Sequence, residues 1–181
     1  ILLGGVSGVP PAKVVILGAG VVGEFAAKAA LGLGASIRVF DNDITKLMRL
    51  QALVGRQLHT SSINPVYLAY QLTSADVVIG AIPSKHGRTP IIVTEEMVSK
   101  MKDGSVIVDV SIDQGGCIET SEMTTLKNPT FVKHGVTHYC VPNIASNVSR
   151  TASSAVSNIL TPLLIKAGSD LAFDNILYRS P

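Results

Sequence analysis

Six residues, Gly18-Ala19-Gly20-Val21-Val22-Gly23, have the spacing G-x-G-x-x-G. Between a strand and a helix each glycine of that pattern has a task. The first permits a tight turn, the second lets the backbone approach a pyrophosphate, and the third lets the helix pack on the strand. The helix start adds free N–H groups and a partial positive charge that suit phosphates. Asp41 lies 18 residues after Gly23, near the ~20 expected of an acid that accepts hydrogen bonds from the adenosine ribose. A carboxylate there also repels a 2′-phosphate, by about 4 kcal/mol at ~4 Å and an effective dielectric near 20. NAD(H) is therefore expected over NADP(H), with Lys46 as the nearby cation that could soften the preference. Two rivals share the loop pattern: a methyltransferase loop, and a non-binding turn beside a solvated aspartate.

A second group of candidates follows a later apolar run. Val110-Ser111-Ile112-Asp113-Gln114-Gly115-Gly116 comes after Val106–Asp109. In open parallel sheets the ligand crevice lies outside the carboxyl ends of the strands. Topology alone would bring Asp113 and Gln114 to that crevice, with a simple Asx turn as the alternative. The loop over residues 81–90 and Asn143 would face the same crevice. The four histidines, His59, His86, His134 and His138, form no triad pattern with Ser or Cys and read as structural. No metal site is expected. Cys117 and Cys140 are not a C-x-x-C pair, so they read as two reduced core thiols, with a disulfide between them left open.

Those positions need elements to hold them. Lys13–Leu17 is a β-branched run ending at Gly18, a buried strand. From Val21 the period changes, and Val22, Phe25, Ala26, Ala29, Ala30 and Leu33 share one helical face that would meet the core. Gly34 closes that helix. Strands are expected at 37–40, weakly at 58–60, at 76–80 and at 106–110, with short late ones at 131–132 and 138–141. Helices are expected at 44–54, closed by Gly55, at 65–72, from N-cap Thr94 with Met97 packing inward, and from Thr151 to about Lys166. Pro162 should kink or end the last helix. Residues 113–129 look irregular, and 167–181 loosely held. Strands that are apolar throughout and alternate with helices predict a doubly wound parallel α/β sheet covered on both faces.

Composition agrees. The chain has 181 residues, 46% hydrophobic and only 15% charged, against about a quarter charged in an average domain. Mean hydropathy is +0.39. Disorder is excluded, because disordered chains are charge-rich and poor in Val, Ile and Leu. No run is long and apolar enough to suggest a transmembrane helix. Net charge is +2 with no basic cluster, so nucleic acid is not an expected partner. The start, Ile1-Leu2-Leu3-Gly4-Gly5-Val6, has no Met and no signal-peptide pattern. It reads as an apolar stub that packed on something upstream.

Three stretches together resemble the alanine dehydrogenase/NAD(P) transhydrogenase family: residues 4–35, residues 106–121 with Ile112-Asp113-Gln114-Gly115-Gly116-Cys117, and residues 138–153. The similarity runs from residue 1 to about 166. Asp41 passes straight into a short helix, where transhydrogenases carry a longer insertion, so alanine dehydrogenase fits better. The resemblance implies a Rossmann-type NAD-binding domain over residues 11–150. Residues 1–10 would be an interdomain segment, and 151–181 a return helix and tail toward a substrate domain. It implies oxidation of L-alanine to pyruvate and ammonia with NAD⁺ in a cytoplasmic homo-oligomer, without nucleic acid or membrane.

By position, Gly18, Gly20, Val21, Val22 and Gly23 would meet the pyrophosphate, Asp41 the adenosine ribose, and Lys46 the adenine side. Ile82 and Pro83 would line the adenine-to-ribose side. Val110, Ser111, Ile112 and Asp113 would meet the nicotinamide ribose, with Asp113 the catalytic residue beside the reacting carbon. Val141, Asn143 and Ile144 would hold the nicotinamide end. A transhydrogenase-like NAD-binding subunit or a related amino-acid dehydrogenase is the alternative. Residues 81–90 and 144–153 depart from the family's usual wording at the cofactor edge.

Overall fold

Four consecutive apolar residues and a lysine make the central strand β1, Lys13–Leu17, which is buried along nearly its whole length. The computed structural model describes residues 1–55, 58–84 and 87–170. His86 and the tail from residue 171, both subjects of expectations above, lie outside the described residues. After β1 come α1 (Val21–Gly32), β2 (Ser36–Phe40), α2 (Ile44–Val54), β3 (His59–Ser61), α3 (Pro65–Leu72) and β4 (Val77–Gly80). Then follow α4 (Glu95–Ser99), β5 (Val106–Asp109), a 3-10 turn over Val110–Gln114, β6 (Thr130–Lys133) and β7 (Val136–Tyr139). Another 3-10 turn, Ile144–Val148, leads into α5 (Ser149–Asp170).

The seven strands form one sheet in the order β3-β2-β1-β4-β5-β7-β6. All neighbours are parallel except β6, which pairs antiparallel with β7. The doubly wound expectation is borne out, with the reversal of strand order between β1 and β4, where such sheets take their ligands. The late strands are a hairpin, with His134 (φ 52°) and Gly135 (φ 71°) supplying the positive-φ turn. Two cores cover the two faces. One gathers Val15, Leu17, Phe40, Leu68, Leu72 and Ile107, and the other Val14, Ile16, Ala27, Ile37, Leu47 and Leu50.

Helix ends follow local chemistry. Asp43, Asn64 and Thr94 each accept a backbone N–H at the start of α2, α3 and α4. Gly55 closes α2 in the left-handed region, at φ 64°. Met97 packs on the first core as expected.

One expectation fails on α1. Its buried residues are Gly23, Glu24, Ala27 and Ala30, while Phe25 is 65% exposed and Leu33 63%. The helix lies too close to the sheet for large side chains, so the small residues turn inward. On α5 the helix does not end at Pro162, one of the two outcomes expected there, and it continues past Ala167. Residues 167–170 are therefore helical.

The chain divides into two compact units, Ile1–Pro142 and a second that opens at Asn143. At the N-terminus, the Leu3 carbonyl accepts the Ala12 N–H at 2.9 Å, and Leu3 packs on the second core. Ile1, Leu2 and Val6 stay exposed.

Candidate dinucleotide site

The glycine loop carries the three constraints expected of it. Gly18 sits at φ 105°, and a Cβ there would lie 2.3 Å from the Ala81 carbonyl oxygen, at the end of β4. A Cβ on Gly23 would lie 1.9 Å from the Gly18 carbonyl oxygen, so only glycine lets α1 start this close to β1. Above Gly20 there is nothing within 4 Å. The loop is thus closed on two sides and open at its middle glycine. Gly20 caps α1 with no side-chain hydrogen bond, which leaves the first N–H groups of the helix facing outward. Val21 and Val22, at that start, are exposed.

Asp41 ends β2 beside this loop. Its Oδ2 accepts the Ala19 N–H at 2.7 Å and its Oδ1 the Asp43 N–H at 2.8 Å. The carboxylate therefore fixes the glycine loop and the start of α2 at once, and keeps lone pairs for further donors. Glu24, in the first turn of α1, is neutralised by Lys28 at 2.7 Å and Arg49 at 3.5 Å. The Lys28 hydrogen bond, ahead of Arg49's charge, holds its carboxyl below the usual range.

Two hollows open at the carboxyl ends of the strands. The larger, about 710 Å³, is lined by Asp41, Lys46, Ile82 and Pro83 among the expected residues. Arg88 also lines it, from the loop 81–90 expected at the crevice, and so do Asn42, Asp43, Ile63 and Ile92, which were not expected there. The smaller, about 200 Å³, is lined by Val22, Ile82, Pro83, Val110, Ser111, Asp113 and Gln114. Ile82 and Pro83 are the shared wall. Ile112 and Val141 are buried and line neither hollow, and Asn143 and Ile144 open the second unit. Another hollow, about 580 Å³ along α2 and β3, is lined by apolar, Gln, Ser and Thr side chains with no titratable group.

The loops that form the smaller hollow are tied together. The Ser111 hydroxyl donates to the Ile82 carbonyl at 2.9 Å, the Ser84 N–H donates to Gln114 Oε1 at 2.6 Å, and the Thr89 N–H donates to the Gln114 carbonyl at 2.8 Å. Beneath them lies Asp109, 1% exposed. Its carboxylate accepts N–H groups of Ser111 (3.0 Å), Cys117 (3.0 Å) and Ile118 (3.3 Å), and the Ser121 hydroxyl (2.8 Å). These four donors, with the Cys117 thiol as a weaker fifth at 3.8 Å, satisfy a buried carboxylate that has no ion-pair partner among the described residues, and they shape the turn carrying Asp113. Sequence reading passed over Asp109 as part of a strand, although a carboxylate within so apolar a run was the available signal.

Cys117 and Cys140 are both free and buried. Burial, and then the Asp109 charge, push the Cys117 thiol up to about 12, so it is not a nucleophile. His138 is buried, with Nε2 2.8 Å from the Thr120 hydroxyl and Nδ1 3.0 Å from the Val136 carbonyl. His134 pairs with Glu95 at 2.8 Å, and His59 lies on β3. Among the described residues no group of three His, Cys, Asp or Glu could hold a metal ion, and no helix is long and apolar enough to cross a membrane.

Sheet order, glycine loop and acid at the end of β2 together define a Rossmann-type dinucleotide-binding domain. The family model "Alanine dehydrogenase/PNT, C-terminal domain" matches residues 1–181, and the chain belongs to that family. It is 46% identical over 163 residues to alanine dehydrogenase 2 of Staphylococcus aureus (strain USA300), a match covering 90% of this chain and 44% of that protein. A solved L-alanine dehydrogenase superposes with TM-score 0.93 and 43% identity, over 99% of this chain and 51% of the other. A transhydrogenase from Sinorhizobium meliloti gives TM-score 0.76 and 29% identity, over 88% of this chain and 46% of that one. The chain spans about half the length of the relatives it matches.

Proposed function

We propose that this chain is the NAD(H)-binding part of an alanine dehydrogenase-like oxidoreductase. The cofactor is NAD(H). The observation that carries the reading is the meeting of the open Gly20, the uncapped start of α1 and Asp41 at the mouth of two adjoining hollows. These residues fit a dinucleotide. N–H groups would face its phosphates, the Asp41 carboxylate would accept ribose hydroxyls, and Asp113 would lie at the far hollow. Lys46 lies 3.9 Å from Asp43, so part of its charge is already answered and Asp41 decides against a 2′-phosphate.

When bound in the intact enzyme, NAD⁺ would supply the two-electron oxidant for the substrate Cα–H, on the way from L-alanine to pyruvate and ammonia. This chain's part is to orient the reactants. Asp113 would hold the nicotinamide ribose and direct the amine or the attacking water. The L-alanine-binding side chains belong to a second domain, reached through residues 1–10 and 151–181, with residues 11–150 as the cofactor domain. Agreement with L-alanine dehydrogenase, TM-score 0.93 against 0.76 for the transhydrogenase, favours this over a transhydrogenase role. Two free buried thiols fit a reducing cytoplasm, and a homo-oligomer is the expected assembly.

Fluorescence titration with NADH and NADPH tests the core of the reading. Tighter NADH binding is expected. Equal or tighter NADPH binding overturns the role of Asp41, and binding of neither overturns the dinucleotide site. The 181-residue chain alone should form no NADH from L-alanine, because hydride transfer needs an oriented substrate.

A further inference from the structure

We propose that Arg88 is the cation that meets the pyrophosphate of the bound dinucleotide, an inference that rests on the dinucleotide reading above. The two hollows share Ile82 and Pro83 as a wall. A ligand with its adenosine ribose at Asp41 and its nicotinamide near Asp113 must carry its pyrophosphate across that wall. Arg88 stands at the crossing. It lines the larger hollow, while its stem lies over Gly115, in the loop that forms the smaller one.

The seat is built for it. Gly115 is at φ 93°, and a Cβ there would lie 2.7 Å from Arg88 Cγ and 2.9 Å from Nε. Any side chain at 115 would displace the arginine. The chain on either side of the seat is also held, by the Gln114 bonds to Ser84 and Thr89.

Charge points the same way. The pyrophosphate brings two negative charges. In the larger hollow Lys46 is already paired with Asp43 at 3.9 Å, and among the described residues the smaller hollow has no cationic lining side chain. The first turn of α1 carries Glu24, so the helix end offers N–H groups without a net positive side chain. The Arg88 guanidinium has no ion-pair or hydrogen-bond partner among the described residues. A planar, weakly hydrated guanidinium is the side chain best suited to a diphosphate at an exposed edge.

The test compares the unaltered chain with Arg88→Gln and Arg88→Lys. Each is titrated with NADH, with ADP-ribose (pyrophosphate, no nicotinamide) and with adenosine (no phosphate), at low and moderate salt. Arg88→Gln should weaken NADH and ADP-ribose alike by about tenfold or more, as loss of a charge-assisted contact does. It should leave adenosine binding unchanged and flatten the salt dependence. Arg88→Lys should recover part of the loss. Unchanged NADH and ADP-ribose binding in Arg88→Gln overturns the proposal. So does an equal loss for adenosine, which would make Arg88 a wall of the adenine site, or a loss confined to NADH. Failure of the unaltered chain to bind NADH or ADP-ribose overturns the dinucleotide reading itself. Gly115→Ala, which places a methyl where Arg88 lies, gives an independent check, since a folded variant should lose the same two ligands and keep adenosine.

Discussion

Asp41 and Asp113 carry charge at the two ends of the site, and they are held differently. Asp41 is locked by two backbone N–H groups, whereas Asp113 is exposed on the rim of the smaller hollow, in the 3-10 turn whose first N–H groups Asp109 organises. In the full enzyme, Asp113→Asn should therefore keep NADH affinity and lower kcat by about 100-fold or more, the usual scale for a positioned acid–base group. Steady-state kinetics beside NADH titration check this, and unchanged turnover would remove Asp113 from the chemistry. His138 makes a different prediction. Burial lowers its pKa, and both ring nitrogens are engaged in the neutral form. The unfolded chain takes up a proton below about pH 6.5, which the folded chain resists. Stability from His138 is therefore complete above that pH and is lost as pH falls toward the lowered folded value. Urea midpoints should drop between pH 7 and pH 5, and His138→Phe should flatten that slope. The paired carboxylates Glu24 and Glu96, lowered by their lysine partners, lose their contribution only as pH falls below about 4.5, outside this window.

At the scale of the element, the unit that matters is β1, its glycine loop and α1. Gly20 and Gly23 are three residues apart and do opposite jobs. Gly20 faces open space, so Gly20→Ala should cost no more than about 1 kcal/mol, the loss expected of a poorer helix cap. Its methyl would stand where the phosphates approach, and NADH binding should fall sharply. Gly23→Ala forces a methyl to 1.9 Å from a backbone oxygen, so α1 must lift from the sheet. Its core contacts through Ala27 and Ala30 would loosen, and a loss of about 2 kcal/mol or more is expected, in the range of overpacked cores. Urea unfolding with NADH titration separates the two. Equal destabilisation by both variants would contradict the geometry.

Over the whole molecule, exposed apolar side chains are spread along the chain, on α1, α2 and α3 among other places, and two segments carry them in runs. Ile1, Leu2 and Val6 stand out at one end, and Val156, Ile159, Leu160, Leu164 and Ile165 along α5. Singly exposed apolar residues are ordinary, but a helix showing five of them reads as a contact face. The isolated chain should therefore self-associate. Sedimentation should give a species larger than a monomer, and changing Ile159 and Leu164 to Gln or Glu should shift it toward monomer without altering NADH affinity. A monomer at micromolar concentration in the unaltered chain would refute this face as an interface between copies.

The amino-acid sequence by itself determined which elements form and in what order. Alternation of buried runs with helical periods, N-cap side chains and left-handed glycines are local signals, and α2 and α3 were legible from end to end. The glycine loop and Asp41 were legible too, because their pattern reflects a backbone constraint that neighbouring residues carry themselves. What the tertiary structure decided was which surfaces meet. On α1 the spacing of the larger apolar residues pointed to the face with Phe25, and the closeness of the sheet turned Gly23, Ala27 and Ala30 inward instead. Pro162 did not end α5, although loss of one backbone donor made an end, or a kink, the local expectation. The role of Asp109 depended on donors brought to it by folding from positions 111, 117, 118 and 121. The seat of Arg88 on Gly115 joins loops from two different strands, and no spacing within either loop announces it. Contacts between segments distant in the chain are set by packing, and packing is a property of the folded whole.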